Sequence, residues 1–230
     1  MSTLLLRLAA PMQAWGSDSK FEVRRTGREP TKSGVIGLLA AALGRKREDP
    51  IDDLCKLKFG VRVDQEGQML CDFHTARSVK QTYVTKRYYL SDAVFLVALE
   101  SDDKDFLLQL ENAIKNPVYP LFLGRRSCPP TLPIVLGMRD KSMMETLNHE
   151  PWLASEWMQK RYKKTPMLRL VTDADKGDSR VAFQRDMPIS FSVKKRSYNY
   201  RAYVEHRPVI IECDDCNDIS ETKHDPMSEL

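Results

Sequence analysis

The stretch from Phe21 to Gly44, FEVRRTGREPTKSGVIGLLAAALG, constrains the chain more than any other. Its first ten residues read as an extended basic segment carrying Arg24, Arg25 and Arg28, and from Thr31 on it reads as a short helix. Thr31 or Ser33 is placed to cap that helix, because a hydroxyl there accepts a bond from a first-turn N–H that lacks an intrahelical partner. Pro30 keeps the preceding residue extended, and Gly44 supplies a left-handed stop. Val35, Ile36, Leu39 and Leu43 recur at helical spacing and form a face to bury. A basic strand feeding a helix N-terminus is also a place for an anionic backbone. Free N–H groups and the positive end of the helix dipole point outward there, with Lys32 beside them. The bland alternative is a capped helix with a solvated basic approach. A nucleotide-hydrolysing P-loop is excluded, since Thr31 and Thr26 stand where that motif needs glycine.

Around this stretch the chain alternates strand and helix signals. Thr3–Leu8 reads as a strand, and Asp49-Pro50 opens a short helix through Leu57. Lys58–Asp64 reads as a strand that turns at residues 65–68 and returns through Met69–Phe73. Ala93–Leu99, AVFLVAL, is the strongest strand and the natural centre of a sheet. Asp102 and Asp103 cap a helix from Lys104 to Lys115, and Leu132–Leu136 is another strand. This order, strand-helix-strand-strand-helix-strand, predicts an α+β, ferredoxin-like (RRM-like) unit over residues 1–137. Residues 138–211 read as a smaller β-rich C-terminal part. It has a helix near Pro151–Tyr162 that packs Trp152 and Trp157, then strands at Met167–Val171, Val181–Gln184, Ile189–Val193 and Tyr203–Ile211.

Two further segments are basic. Phe73–Tyr89 carries Arg77, Lys80, Lys86 and Arg87 with no acidic residue, interleaved with Tyr83, Tyr88 and Tyr89. It reads as an inserted β-hairpin arm over about residues 73–90. Charge for phosphates and flat rings for bases are what single-stranded RNA requires. Gly124-Arg125-Arg126-Ser127 forms a loop between prolines. By contrast, residues 212–230 hold seven acidic residues and one lysine, so they carry −6 and the preceding 211 residues +10. So basic a body favours a polyanion as partner. The tail has too little apolar content to offset its ordering entropy and is expected to be disordered.

Other chemistries find little support. The four histidines are dispersed, and Cys213-x-x-Cys216 is only half of a zinc site, so no metal or cofactor is expected. Five cysteines form no secreted framework, and no apolar run approaches the roughly 18 residues of a membrane helix. A reducing cytoplasm is the expected compartment. Only His74, Tyr83 and Lys86 offer residue types for a metal-independent ribonuclease, and they sit on the arm.

Four ordered blocks carry a family resemblance: LLLRLAAPMQAWG at Leu4–Gly16, RRTGREPTKSGVIGLLAAALG at Arg24–Gly44, YYLSDAVFLVALE at Tyr88–Glu100 and YPLFLGRRSCPPTLPIVLG at Tyr119–Gly137. They resemble the CasD subunits of type I-E CRISPR Cascade, within the Cas-five family of repeat-associated RNA-binding proteins. The resemblance implies a ferredoxin-like fold with a long hairpin called the thumb, here residues Arg77, Lys80, Tyr83, Lys86, Arg87 and Tyr88. It implies a non-catalytic antiviral surveillance subunit that binds the 5′ handle of the crRNA and closes one end of the CasC backbone filament. It implies contact with the large subunit CasA, and with target DNA only through the complex. Arg24, Arg25, Arg28, Thr31, Lys32 and Ser33, together with Arg125, Arg126 and Ser127, would then face handle phosphates. In type I-C relatives the equivalent subunit is itself the repeat-processing endoribonuclease, which is the alternative.

Overall fold

The computed structural model describes residues 1–16, 22–77, 82–161 and 166–211. Strand β1 (Ser2–Ala9) leads through the short strands β2 (Met12–Gln13) and β3 (Val23–Arg24) to helix α1 (Lys32–Ala42) and the single turn α2 (Asp52–Cys55). Strand β4 (Lys58–Gln65) is followed by a hairpin, β5 (Gln68–Arg77) and β6 (Thr82–Ser91). Then come β7 (Val94–Ser101), α3 (Lys104–Lys115) and β8 (Val135–Arg139). Helices α4 (Met143–His149) and α5 (Glu156–Arg161) precede β9 (Met167–Asp173), β10 (Ala182–Ser190), β11 (Ser197–Glu205) and β12 (Val209–Ile210).

One large sheet runs in the order β10-β11-β9-β4-β7-β1-β8, antiparallel throughout, with β12 added to β9. Its central strands are apolar on both faces because both are covered. Along β7, Phe95, Val97 and Leu99 join one core with β1's Leu4, Leu6 and Leu8, under α1 and α3. The alternate residues Leu96 and Ala98 join Leu5 in a second core with α4's Met143 and Leu147. The period of two divides one strand between two cores.

Helix α1 forms where expected. Thr31 is its N-cap, the hydroxyl accepting from the Gly34 N–H at 3.2 Å. Gly44 stops it at φ +75°, a conformation that costs glycine little. The fold is mixed α+β as the sequence implies, and the C-terminal strands continue the main sheet through the β9–β4 pairing.

Several expectations need correction. Met69–Phe73 does not return along β4, whose partners are β7 and β9. It is the first half of the hairpin, in register with β6 from Gln68↔Ser91 to Arg77↔Thr82. Asp49 does not cap α2; Ile51 holds that position, and the Asp49 carboxylate accepts from the Lys46 N–H instead. The last strand of the first part is displaced to Val135–Arg139. The two strands expected between Val181 and Val193 are one bulged strand, β10. The stretch expected as one strand at Tyr203–Ile211 belongs to two, β11 and β12, separated at residues 206–208. Helix α4 was not anticipated, and Trp157 is 62% exposed, whereas Trp152 is buried and donates its indole N–H to the Asp64 carbonyl at 2.6 Å. The acidic tail at residues 212–230, with Cys213 and Cys216, and Lys80 on the arm lie outside the described residues. Among the described residues no helix is long and apolar enough to cross a membrane.

Candidate nucleic-acid interface

The loop at residues 121–128 meets the start of the chain at an unusually close approach. The Ala14 N–H donates to the Leu123 carbonyl at 3.1 Å, and Gly124 sits at φ +84° with its backbone against Ala14. A Cβ on Gly124 would fall 1.7 Å from the Ala14 carbonyl oxygen, so only glycine fits. Trp15, fully buried, holds the basic segment. Its backbone N–H donates to the Thr26 hydroxyl at 2.7 Å, and its carbonyl accepts from Gly27 at 2.7 Å. These contacts bring Arg24, Arg25 and Arg125 onto one cleft of about 580 Å³, which Trp15, Ser33, Gly34, Arg196 and Tyr198 also line. Among the described residues, four arginines and no acidic residue line it. Such a cleft concentrates positive potential and favours an anionic chain. Arg125 adds a specific feature: its Nη2 donates to the Arg24 carbonyl at 3.0 Å, while Nη1 is buried without a hydrogen-bond partner. A buried donor left unpaired is costly, and an incoming phosphate oxygen would satisfy it.

Of the residues expected to face phosphates, Arg24, Arg25, Ser33 and Arg125 are brought together here, with Thr31. The Thr31 hydroxyl is engaged as the N-cap. Arg28, Arg126 and Ser127 are exposed but do not line the cleft. Lys32 must be corrected. It is 3% exposed, and its ammonium pairs with Asp173 at 2.7 Å. Its backbone N–H donates to the Asp186 carboxylate at 2.9 Å, so the helix N-terminus already has an anion from its own chain. Asp186 in turn pairs with Arg201 at 2.8 Å. Burial works against charge on Arg201, and the hydrogen-bonded Asp186 and Asp173 outweigh it, so that guanidinium stands above the ordinary arginine value.

Arg196 and Tyr198 were missed. The signal was present in Lys194-Lys195-Arg196-Ser197-Tyr198-Asn199-Tyr200, a basic and aromatic run without an acid, like the arm. Tyr198 meets Phe191 edge-on at 6.5 Å, which leaves its ring beside the cleft.

The hairpin grows from the same place. Strand β3 pairs in parallel with β6, Val23↔Lys86 and Arg24↔Arg87, and β2 pairs through Gln13↔Leu90. The two strands pair with each other along all ten residues, roughly 30 Å at about 3.4 Å per residue, and the last four pairs, from His74↔Thr85 to Arg77↔Thr82, extend past β3. Arg77, Tyr83 and Lys86 are exposed, Arg87 and Tyr88 half-buried. Phe73 and Val84 are about 60% exposed, far above what a strand within a core would show. Alternation puts Tyr83, Arg87 and Tyr89 on one face, and Lys86 and Tyr88 on the other. The ribonuclease trio is therefore divided. His74, opposite Thr85, shares the Tyr83 face and bonds Asp72 at 2.5 Å, while Lys86 lies over Phe73 on the opposite face, 5.8 Å from the ring centroid. Among the described residues no cluster of His, Cys, Asp or Glu is arranged to hold a metal ion.

Comparison with known proteins places these features in a family. Residues 3–204 match the family described as CRISPR-associated protein (Cas5). The chain is 40% identical over 174 residues to the CRISPR system Cascade subunit CasD of Escherichia coli (strain K12), covering 65% of this chain and 78% of that one. It is similar to a chain of a solved CRISPR RNA-guided surveillance complex, with a TM-score of 0.76 and 34% identity over 91% of this chain and 90% of the other. It is also similar to a crystal structure of a Cas protein, with a TM-score of 0.69 and 38% identity over 90% and 95% of the two chains.

Proposed function

The chain belongs to the CRISPR-associated Cas5 family, and we propose from that premise that it is a non-catalytic subunit of a type I-E Cascade surveillance complex. Its ligand is the 5′ handle of the crRNA, held in the arginine cleft. The observation that carries this reading is the convergence of Arg24, Arg25, Arg125 and Arg196 on one cleft beside the hairpin base, with no acid lining it among the described residues. Arginine forks bind phosphate oxygens in pairs, the Ser33 hydroxyl adds a hydrogen bond, and Tyr198 offers a ring on which an unpaired base can stack. The order β8-β1-β7-β4, with α1 and α3 in the crossovers, supports a ferredoxin-like reading of residues 1–137, the hairpin being inserted between β4 and β7.

On this reading the hairpin is the thumb. Its exposed Phe73 and Val84 suit a protein neighbour, and Arg77 and Lys86 suit RNA, so the thumb engages the CasC backbone while the body caps the filament and seats CasA. Target DNA is reached through the complex, in the cytoplasm. The division of His74, Tyr83 and Lys86 between two faces supports a binding role over repeat cleavage.

Co-expression with the backbone subunits and a repeat array tests the proposal. The wild-type chain should co-purify with intact crRNA. A variant carrying Arg24→Glu, Arg25→Glu and Arg196→Glu should fold but enter the complex poorly. Equal crRNA content in both preparations would overturn it, as would site-specific cleavage of repeat RNA by the purified chain alone in chelator.

A further inference from the structure

The first turn of α1 and the Arg196–Tyr198 stretch both line the cleft, and four charged residues join α1 to β9, β10 and β11 in a closed ring. The Lys32 backbone N–H donates to Asp186 Oδ2 at 2.9 Å. Asp186 accepts from Arg201 Nε at 2.8 Å and from Nη2 at 2.9 Å. Arg201 Nη1 reaches Asp173 Oδ1 at 3.0 Å, and Asp173 Oδ2 accepts from Lys32 Nζ at 2.7 Å, which closes the ring on the residue where it began. Asp173 also accepts the Phe59 N–H at 3.1 Å, so β4 is tied in. The Arg201 guanidinium is held further by two rings, 5.3 Å from the Phe59 centroid and 5.6 Å from that of Tyr203.

We propose that this ring of Lys32, Asp173, Arg201 and Asp186 positions the cleft, setting Arg196 and Tyr198 against Ser33 and Gly34 so that one RNA strand is gripped from both sides. The proposal rests on the RNA-binding reading of the cleft. Three observations carry it. Lys32 is gripped through both its backbone and its side-chain nitrogen, which fixes the rotation as well as the position of the helix turn that bears Ser33 and Gly34. Arg201 lies on the same strand as Tyr198, and Arg196 immediately precedes that strand. The ring's side chains are nearly buried, with Asp186 at 0%, Lys32 and Arg201 at 4% and Asp173 at 18% exposure. Two acids and two bases add no net charge to the cleft. A buried ion pair is seldom more stable than apolar residues of the same volume, and fixing one register is its best-attested use. The ring therefore acts through Arg196 and touches no RNA itself.

The test uses the full-length chain and single-stranded RNA of its own repeat, with affinity measured across a salt series for Asp186→Asn, Arg196→Ala and the double variant. Arg196→Ala should lower the log–log salt slope by roughly 0.7, one phosphate contact on a single strand. Asp186→Asn, which keeps an acceptor for the Lys32 N–H, should lower it by the same amount, and the double variant should bind no more weakly than Arg196→Ala. Such non-additivity marks two residues acting as one unit. If Asp186→Asn only lowers the melting temperature and leaves the slope at the wild-type value, or if the two losses add, the ring is purely structural and the proposal is overturned. Lys32→Met repeats the measurement should Asp186→Asn not fold, and failure of both to fold also overturns it. An Arg196→Ala variant with wild-type slope would instead overturn the cleft reading itself, and the ring's role with it.

Discussion

The guanidinium of Arg125 lies over the ring of Tyr89, 4.4 Å from its centroid. The same side chain donates to the Arg24 carbonyl at 3.0 Å, so one residue fastens the 121–128 loop to β3 and to the base of the hairpin. Arg125→Lys keeps the charge and loses the planar fork. Its RNA salt slope should stay near wild type, while incorporation into the complex falls because the hairpin base is no longer held. Arg125→Ala should lose both. Measuring slope and complex yield on the two variants separates charge from geometry, and identical behaviour of the two would contradict this division.

The hairpin prediction depends on exposure. Arg77 and Lys86 are solvated, so reversing them together with Lys80 to glutamate should leave the melting temperature within a few degrees of wild type. Surface substitutions of this kind usually change stability by less than about 0.5 kcal/mol each. Assembly with guide RNA and backbone subunits should nonetheless be impaired. Normal yield and RNA content from the triple variant would show that the hairpin's charge has no part in assembly.

Gly124→Ala should harm both stability and binding. Its Cβ would fall on the Ala14 carbonyl oxygen, and its φ of +84° is unfavourable for alanine. Relieving both requires the loop to move, at about 1–3 kcal/mol or more. For a chain this long each kcal/mol is about 2–4 °C, so thermal denaturation should show a drop of several degrees. RNA affinity should fall with it, since Arg125 follows Gly124 directly. An unchanged melting temperature would mean that the close approach is not maintained in solution.

Asp64 supplies the control for a role in stability alone. It is buried on the other side of the sheet, where Arg62 donates to it at 2.7 and 2.8 Å and to the carbonyls of Leu147, Glu150 and Pro151. Asp64→Ala leaves a buried guanidinium without its counter-ion and should cost about 3–5 kcal/mol. The salt slope of RNA binding should not change, because no part of this network lines the cleft. A lowered slope would mean that the two faces of the sheet are coupled.

Elements set by local chemistry were legible in the sequence. Thr31 caps α1, Gly44 ends it, and the apolar run of β7 lies inside its sheet between β4 and β1. The basic arm stood out because so little of it could enter a core. What local chemistry could not reveal was pairing across long separations. Alternation marks Met69–Phe73 as a strand but does not say whether β4 or β6 receives it. Lys32 beside a helix N-terminus looks like an anion site, and it is one, but the anions are Asp173 and Asp186, 141 and 154 residues further along. Arg196 and Tyr198 reach the cleft only because β10 and β11 extend the sheet past α1, an arrangement no window of the sequence encodes.

The most direct measurement is ultraviolet cross-linking of crRNA within the assembled complex, followed by mass spectrometry of the cross-linked peptides. The account predicts adducts of handle nucleotides on the peptides containing Arg24–Arg25, Arg125 and Tyr198, and their loss when Arg24, Arg25 and Arg196 are replaced by glutamate. Handle adducts confined to other surfaces of the chain, with these three peptides unmodified in a fully loaded complex, would contradict it.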